Sequence, residues 1–194
     1  MVDSQSIRCK TDIKINVYIS MTRIIGIDPG SLKTGYGLID VVGNKITYVS
    51  SGIVRLKDKA LPPRLKVIFD GITQIIAEYQ PEAMAIEEVF FAKDPRAALK
   101  LGQARGAAIV AGVNADLAVA EYSARSVKQA VVGTGAADKK QVQTMVASLL
   151  KLPDTPSEDA ADALAVAICH AHGMQTGKLL ANHGSSGYAR GRHK

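Results

Sequence analysis

The chain of 194 residues is poor in cysteine, with only Cys9 and Cys169. Two thiols so far apart exclude a disulfide framework and a thiolate metal centre, so a reducing compartment is expected and both thiols are read as inert. Long apolar runs are scarce near the start as well. Residues 1–20 (MVDSQSIRCKTDIKINVYIS) interleave charged and apolar side chains. That excludes a secretory signal or a membrane span there and makes a cytoplasmic protein the expectation. A clear strand pattern begins just after Met21, so residues 1–20 are set apart as an N-terminal extension, non-native or from an upstream start.

A marked excess of either charge is missing from the body of the chain. The formal net charge is +6, but residues 173–194 hold Lys178, Arg190, Arg192 and Lys194 and no acid. The extension has three bases and two acids, which leaves 17 basic against 16 acidic side chains for residues 21–172. Bulk charge is therefore a weak pointer to nucleic acid. The tail at 173–194, rich in Gly and Ser (GSSGYARGRHK), is expected to be flexible, either as a solubilising end or as a nonspecific phosphate contact. Residues 21–172 fit one compact domain.

What is present is a sequence of alternating elements. TRIIGID (22–28) is a β-branched run stopped by Pro29-Gly30, so Asp28 falls at the end of a buried strand. GYGLIDVV (35–42) and KITYVSSGIVRL (45–56), joined at Gly43-Asn44, read as two antiparallel neighbours. Apolar residues at 65, 68, 69, 72, 75, 76 and 79 mark one helix face, closed by Pro81. AMAIEEVF (83–90) is a further strand with Glu87 near its end. A helix follows over 96–114, in which Gly102, Gly106 and Gly112 imply close approach to another element, a partner subunit or this chain's own sheet.

LAVAEYS (117–123) is a fifth strand, Lys128 lies in a short helix, and 138–152 is amphipathic. After Pro153 and Pro156, Ser157 suits the N-cap of a last helix, SEDAADALAVAICHAH. This order predicts an α/β fold, ribonuclease H-like, with a mixed five-stranded sheet whose first three strands are antiparallel, flanked by helices.

Four acids stand out. Asp28 and Glu87 end strands, and Asp159 and Asp162, three apart, share one face of the last helix. Phosphodiester cleavage with two magnesium ions about 3.5–4 Å apart needs such a cluster of oxygen ligands rather than His or Cys. Each acid also has a plainer reading. Asp before Pro-Gly is a common turn residue, and acids in a first helical turn favour the helix dipole. Glu87, at the end of an apolar strand, is the acid least explained by structure alone. The four His residues have no metal-binding spacing.

IIGIDPGSLKTGYGLI, AIEEVFFAKDPRAALKLGQARG, EYSARSVKQAVVGTGAADKKQVQ and DAADALAVAICHAH resemble, in order, the signature blocks of the bacterial RuvC family, over about residues 22–172. The resemblance implies Asp28, Glu87, Asp159 and Asp162 as catalytic metal ligands, with Asp at 162 where some relatives carry His. It also implies Phe90 as a base-stacking residue and Lys128 and Lys139 as residues facing DNA, with Lys140 beside them. Phe90 and Phe91 are two of only three Phe, and alternation lets at most one of them face the core. The lysines equally suit a solvated helix surface. Lys93 and Arg96 are further DNA-facing candidates.

The implied activity is a structure-specific endonuclease that resolves Holliday junctions in recombination and repair. It would work as a homodimer making paired symmetric nicks, with two Mg2+ per site and Mn2+ able to substitute. Four-way junction DNA and the branch-migration proteins RuvA and RuvB are its implied partners. Two rivals stand beside it. An actin- or hexokinase-like ATPase shares the early Asp-x-Gly turn but needs duplicated halves, for which about 150 residues leave no room. The other is a junction-binding scaffold without catalysis, or a nuclease of the same fold group with another substrate.

Overall fold

The computed structural model describes residues 20–57, 60–89 and 94–183, with side chains to residue 176. Five strands form one sheet in the order β3-β2-β1-β4-β5. β1 (Met21–Asp28), β2 (Lys33–Val42) and β3 (Lys45–Arg55) make an antiparallel meander turned at Gly43. β4 (Ala83–Glu87) and β5 (Ala118–Tyr122) extend it in parallel on the other side of β1. The expected mixed sheet, with its first three strands antiparallel, is therefore present, and β1 is central.

Strand alternation divides the core into two layers. On one face Ile25, Ile27, Leu38, Met84 and Ile86 pack on α1 (Leu61–Tyr79) and α2 (Pro95–Val113). On the other, Ile24, Ile39 and Ala85 pack with α3 (Ala124–Val132), α4 (Lys139–Leu150) and α5 (Glu158–His183). Each fully buried Ile or Leu contributes on the order of 1.5–3 kcal/mol. α5 is buried along most of its first four turns, from Ala160 to Ala171.

Several boundaries differ from expectation. β4 stops at Glu87 rather than residue 90, after Glu88 N–H makes one last bond to the Tyr122 carbonyl at 2.8 Å. Residues 90–93 lie outside the described residues, and Phe90 with them. α5 runs to His183, past the boundary expected at 172, because 173–183 holds no proline and is mostly good helix formers. The glycines of α2 divide. A β-carbon on Gly112 would meet Met84 Sδ at 2.7 Å, which is close approach to the chain's own sheet, whereas Gly102 and Gly106 face open space. The real backbone-to-backbone approaches are at strand glycines beneath α5.

Candidate active site

Alternation aims the first two acids. Ile25 and Ile27 of β1 point to the α1/α2 layer and Ile24 to the α5 layer, so Asp28 shares the α5 face. In β4, Met84 and Ile86 point to α1/α2 and Ala85 to α5, so Glu87 shares that same face. The parallel register pairs Ile27 with Ile86, which leaves Asp28 and Glu87 side by side one step further on. Both line a cavity of about 120 Å³ together with Pro29, Glu88, Val89, Leu101 and Ala124.

The last helix descends onto this corner. Gly35 is the cross-strand partner of Asp28, and a β-carbon there would lie 2.0 Å from the Asp159 carbonyl oxygen. At Gly26 it would lie 2.1 Å from that of Ala163. Only glycine lets α5 lie directly on the strands at these two points. Ser157 occupies its N-cap position, its carbonyl accepting from Ala161 N–H at 2.8 Å. Asp159 and Asp162 follow within the first two turns, both partly buried.

The acids feel one another. Burial, then the charges of Glu87, Asp162 and Asp159, push the Asp28 carboxyl up to about 8, with Lys139 opposing. Burial and Asp162 raise Glu87 to about 6 against the pull of Lys128 and Lys139. Asp162 is raised too, because its burial outweighs the ammonium of Lys139 3.8 Å away.

The cations are placed against local preference. Asp138 caps α4 through a reciprocal box, with Gln141 N–H to Asp138 Oδ1 at 2.8 Å and Asp138 N–H to Gln141 Oε1 at 2.9 Å. That puts Lys139 in the first turn, where the helix dipole disfavours a cation. Its ammonium is instead held by Glu158 and faces Asp162. A residue that breaks a local rule beside an acidic cluster points to function.

In this conformation no three His, Cys or acidic groups among the described residues converge on one ion position. Lys33, 3.5 Å from Asp159, and Lys139 supply the positive charge instead. The donor chemistry still fits a hard divalent cation. The acids are all oxygen donors, and Asp28 is raised to about 8 first by burial and then by like charges that a cation would offset.

A family profile described as Crossover junction endodeoxyribonuclease RuvC matches residues 24–170. The chain belongs to the RuvC family. A RuvC of Photobacterium profundum is 59% identical over 175 residues, 90% of this chain and all of that protein. One of Teredinibacter turnerae is 60% identical over 177 residues, 89% of this chain and 99% of that protein. Among solved structures, Thermus thermophilus RuvC in complex with a Holliday junction substrate superposes with a TM-score of 0.76 at 34% identity, covering 80% of this chain and 96% of that one. RuvC enzymes are metal-dependent nucleases.

Of the four acids that the RuvC resemblance implies, Glu87, Asp159 and Asp162 all lie within electrostatic reach of Asp28. Lys128 and Lys139 lie near enough to act on Glu87. Lys140 is exposed at the start of α4. Lys33 and Arg105, which the sequence does not single out, lie at this corner as well, and Glu158, legible only as a first-turn acid, pairs with Lys139. Arg105 reaches the Glu87 carbonyl from α2. Of the histidines, His170 Nδ1 pairs with the Tyr122 hydroxyl at 2.8 Å and His172 Nδ1 lies 3.2 Å from the Ala130 carbonyl.

Proposed function

We infer that the chain is a structure-specific endonuclease resolving four-way DNA junctions by paired symmetric nicks, with Asp28, Glu87, Asp159 and Asp162 as its catalytic carboxylates. The observation that carries the site assignment is the convergence of Asp28, Glu87 and the start of α5 on one corner built from three separate elements, where burial and then the neighbouring carboxylates raise Asp28 to about 8. Buried like charges of this kind are costly and mark a site waiting for positive charge. Two Mg2+ ions, or Mn2+ in their place, would supply a water activated at neutral pH and neutralisation of the scissile phosphate.

The chain's own residues orient that chemistry. Asp28 and Glu87 sit on rigid strand ends, and Asp159 and Asp162 on a helix pressed to the sheet, so all four are held by the scaffold rather than by loops. Lys128 and Lys139 contribute phosphate attraction beside the acids, with Lys140 adding to it from the surface. Phe90 is the proposed stacking residue for an unpaired base at the crossover.

A homodimer matches the two-fold symmetry of a junction. Support for it lies on α2, whose Leu99, Val110 and Val113 are exposed and whose Gly102 and Gly106 face open space. RuvA and RuvB are the proposed partners and the cytoplasm the proposed compartment. No helix among the described residues is long and apolar enough to cross a membrane.

The test is a synthetic four-way junction with Mg2+, comparing the wild type with Asp28→Asn. Binding with no cutting is expected of the variant. Cutting by both proteins would remove Asp28 from the mechanism, and equal cutting of plain duplex would remove the junction specificity.

A further inference from the structure

Glu87 is the last residue of β4, and Glu88 and Val89 after it are no longer strand. Its position depends on how the main chain is held there. Glu88 N–H bonds to the Tyr122 carbonyl of β5, so the Glu87 carbonyl, in the same peptide unit, points the other way, toward β1. Continuing the parallel register from the Ile27–Ile86 pair, the donor that would meet this carbonyl is the N–H of residue 29. Residue 29 is proline and has none.

The missing donor comes from elsewhere. Arg105, on α2, donates from Nε to the Glu87 carbonyl at 3.2 Å. Its other arm pairs with Glu121, the β5 residue in register with Ile86. The Arg105 side chain is 20% exposed and the Glu121 side chain 49%, so the guanidinium is enclosed while its counter-ion stays wet. A guanidinium can make both contacts at once because its donors lie in a rigid plane, which the single ammonium of lysine cannot reproduce.

We propose that Arg105 is a positioning residue for the reaction: it replaces the backbone donor lost at Pro29, fixes the Glu87 peptide at the end of β4, and is itself fixed by Glu121. The inference rests on the reading of Glu87 as a catalytic carboxylate. Because Arg105 touches main chain and not the carboxylate, its loss leaves the donor set complete and loosens its geometry. Supporting groups of this kind are worth about 10–100-fold in metal affinity or activity. Arg105 also ties the strand end to α2, the helix whose apolar side is proposed to face the second subunit.

The experiment measures Mn2+ binding to the DNA-free protein by paramagnetic resonance, junction affinity in chelator, and single-turnover cutting. Its variants are Arg105→Ala, Arg105→Lys, Glu121→Gln and, as reference, Glu87→Gln. For Arg105→Ala the expectation is Mn2+ affinity and cutting both down about tenfold or more, with junction affinity in chelator unchanged. Arg105→Lys recovers part of the loss and Glu121→Gln shows a smaller loss of the same kind.

Wild-type Mn2+ affinity and cutting in Arg105→Ala overturn the proposal. So does a loss of junction affinity matching the loss of cutting. Should Arg105→Ala not fold, wild-type Mn2+ affinity in both Arg105→Lys and Glu121→Gln overturns it equally. If Glu87→Gln itself binds Mn2+ and cuts like the wild type, the carboxylate reading falls and this inference with it. An inactive Glu87→Gln beside an unaffected Arg105→Ala removes this inference alone.

Discussion

Gly35 and Asp159 meet backbone to backbone: a β-carbon on the glycine would stand 2.0 Å from the aspartate's carbonyl oxygen. The contact sets how far α5 stands off the sheet, and so how near Asp159 and Asp162 come to Asp28. Gly35→Ala must push the first turn of α5 outward. The expected cost is about 1–3 kcal/mol of stability, with cutting reduced more than junction binding. Thermal melts and single-turnover cleavage check this, and a variant with the wild-type melting point and rate would show that the spacing does not matter.

Asp28 gives the metal-free protein an unusual pH dependence. Its carboxyl is held at about 8 in the folded chain against an ordinary 3.8, so the folded state keeps a proton that the unfolded state has released. A raised carboxyl favours folding while it is protonated, and that advantage is lost as pH rises from the unfolded value toward 8. Glu87 at about 6 and the raised Asp162 act in the same sense. In chelator the protein is expected to melt lower at pH 8 than at pH 5.5. Asp28→Asn should remove much of that slope and be more stable than the wild type at pH 8 by on the order of 2 kcal/mol. A variant with an unchanged slope would contradict the burial of Asp28 among like charges.

Lys139 pulls the carboxyls the other way. Its ammonium lowers Asp28, Glu87 and Asp162, which burial and mutual repulsion raise. In Lys139→Met all three must rise further, so the acid side of the pH–rate profile should move to higher pH at fixed Mg2+. If Lys139 only holds DNA, the variant will show weaker junction binding and an unmoved profile.

The element order and the facing of the four candidate acids were legible because both rest on local pattern, whereas their selection as one set leaned on the family resemblance. Alternation in TRIIGID and AMAIE fixes which way Asp28 and Glu87 face, and the three-residue spacing of Asp159 and Asp162 fixes a helix face. The glycines on α2 drew attention because glycine is costly in a helix, yet two of those three face open space. The decisive ones, Gly26 and Gly35, sit in strands, where an isolated glycine is itself a sign of close backbone approach. Arg105 was beyond reach: its bond to Glu87 crosses 18 residues and arises only when α2 packs on β4. The expected end of α5 falls at residue 172 because the Gly and Ser in 173–194 read as a flexible tail.

The exposed side of α2 bears on assembly. Leu99 is 69% exposed, Val110 56% and Val113 58%, and an apolar depression lined by Pro95, Ala98, Leu99, Gly102 and Gln103 opens beside them. A stable dimer buries about 1,600 Å² in all, and a helix with small residues at its contact line allows the close packing such an interface needs. Val110→Glu places a charge in that contact and, being exposed in the single chain, should leave its fold intact. The expected result is a shift from dimer to monomer in sedimentation at micromolar concentration. Nicks on the two strands of a junction should then lose their coordination while each site keeps its carboxylates. A variant that sediments like the wild type would move the dimer contact off α2, and a monomeric wild type would remove the paired-nick mechanism itself.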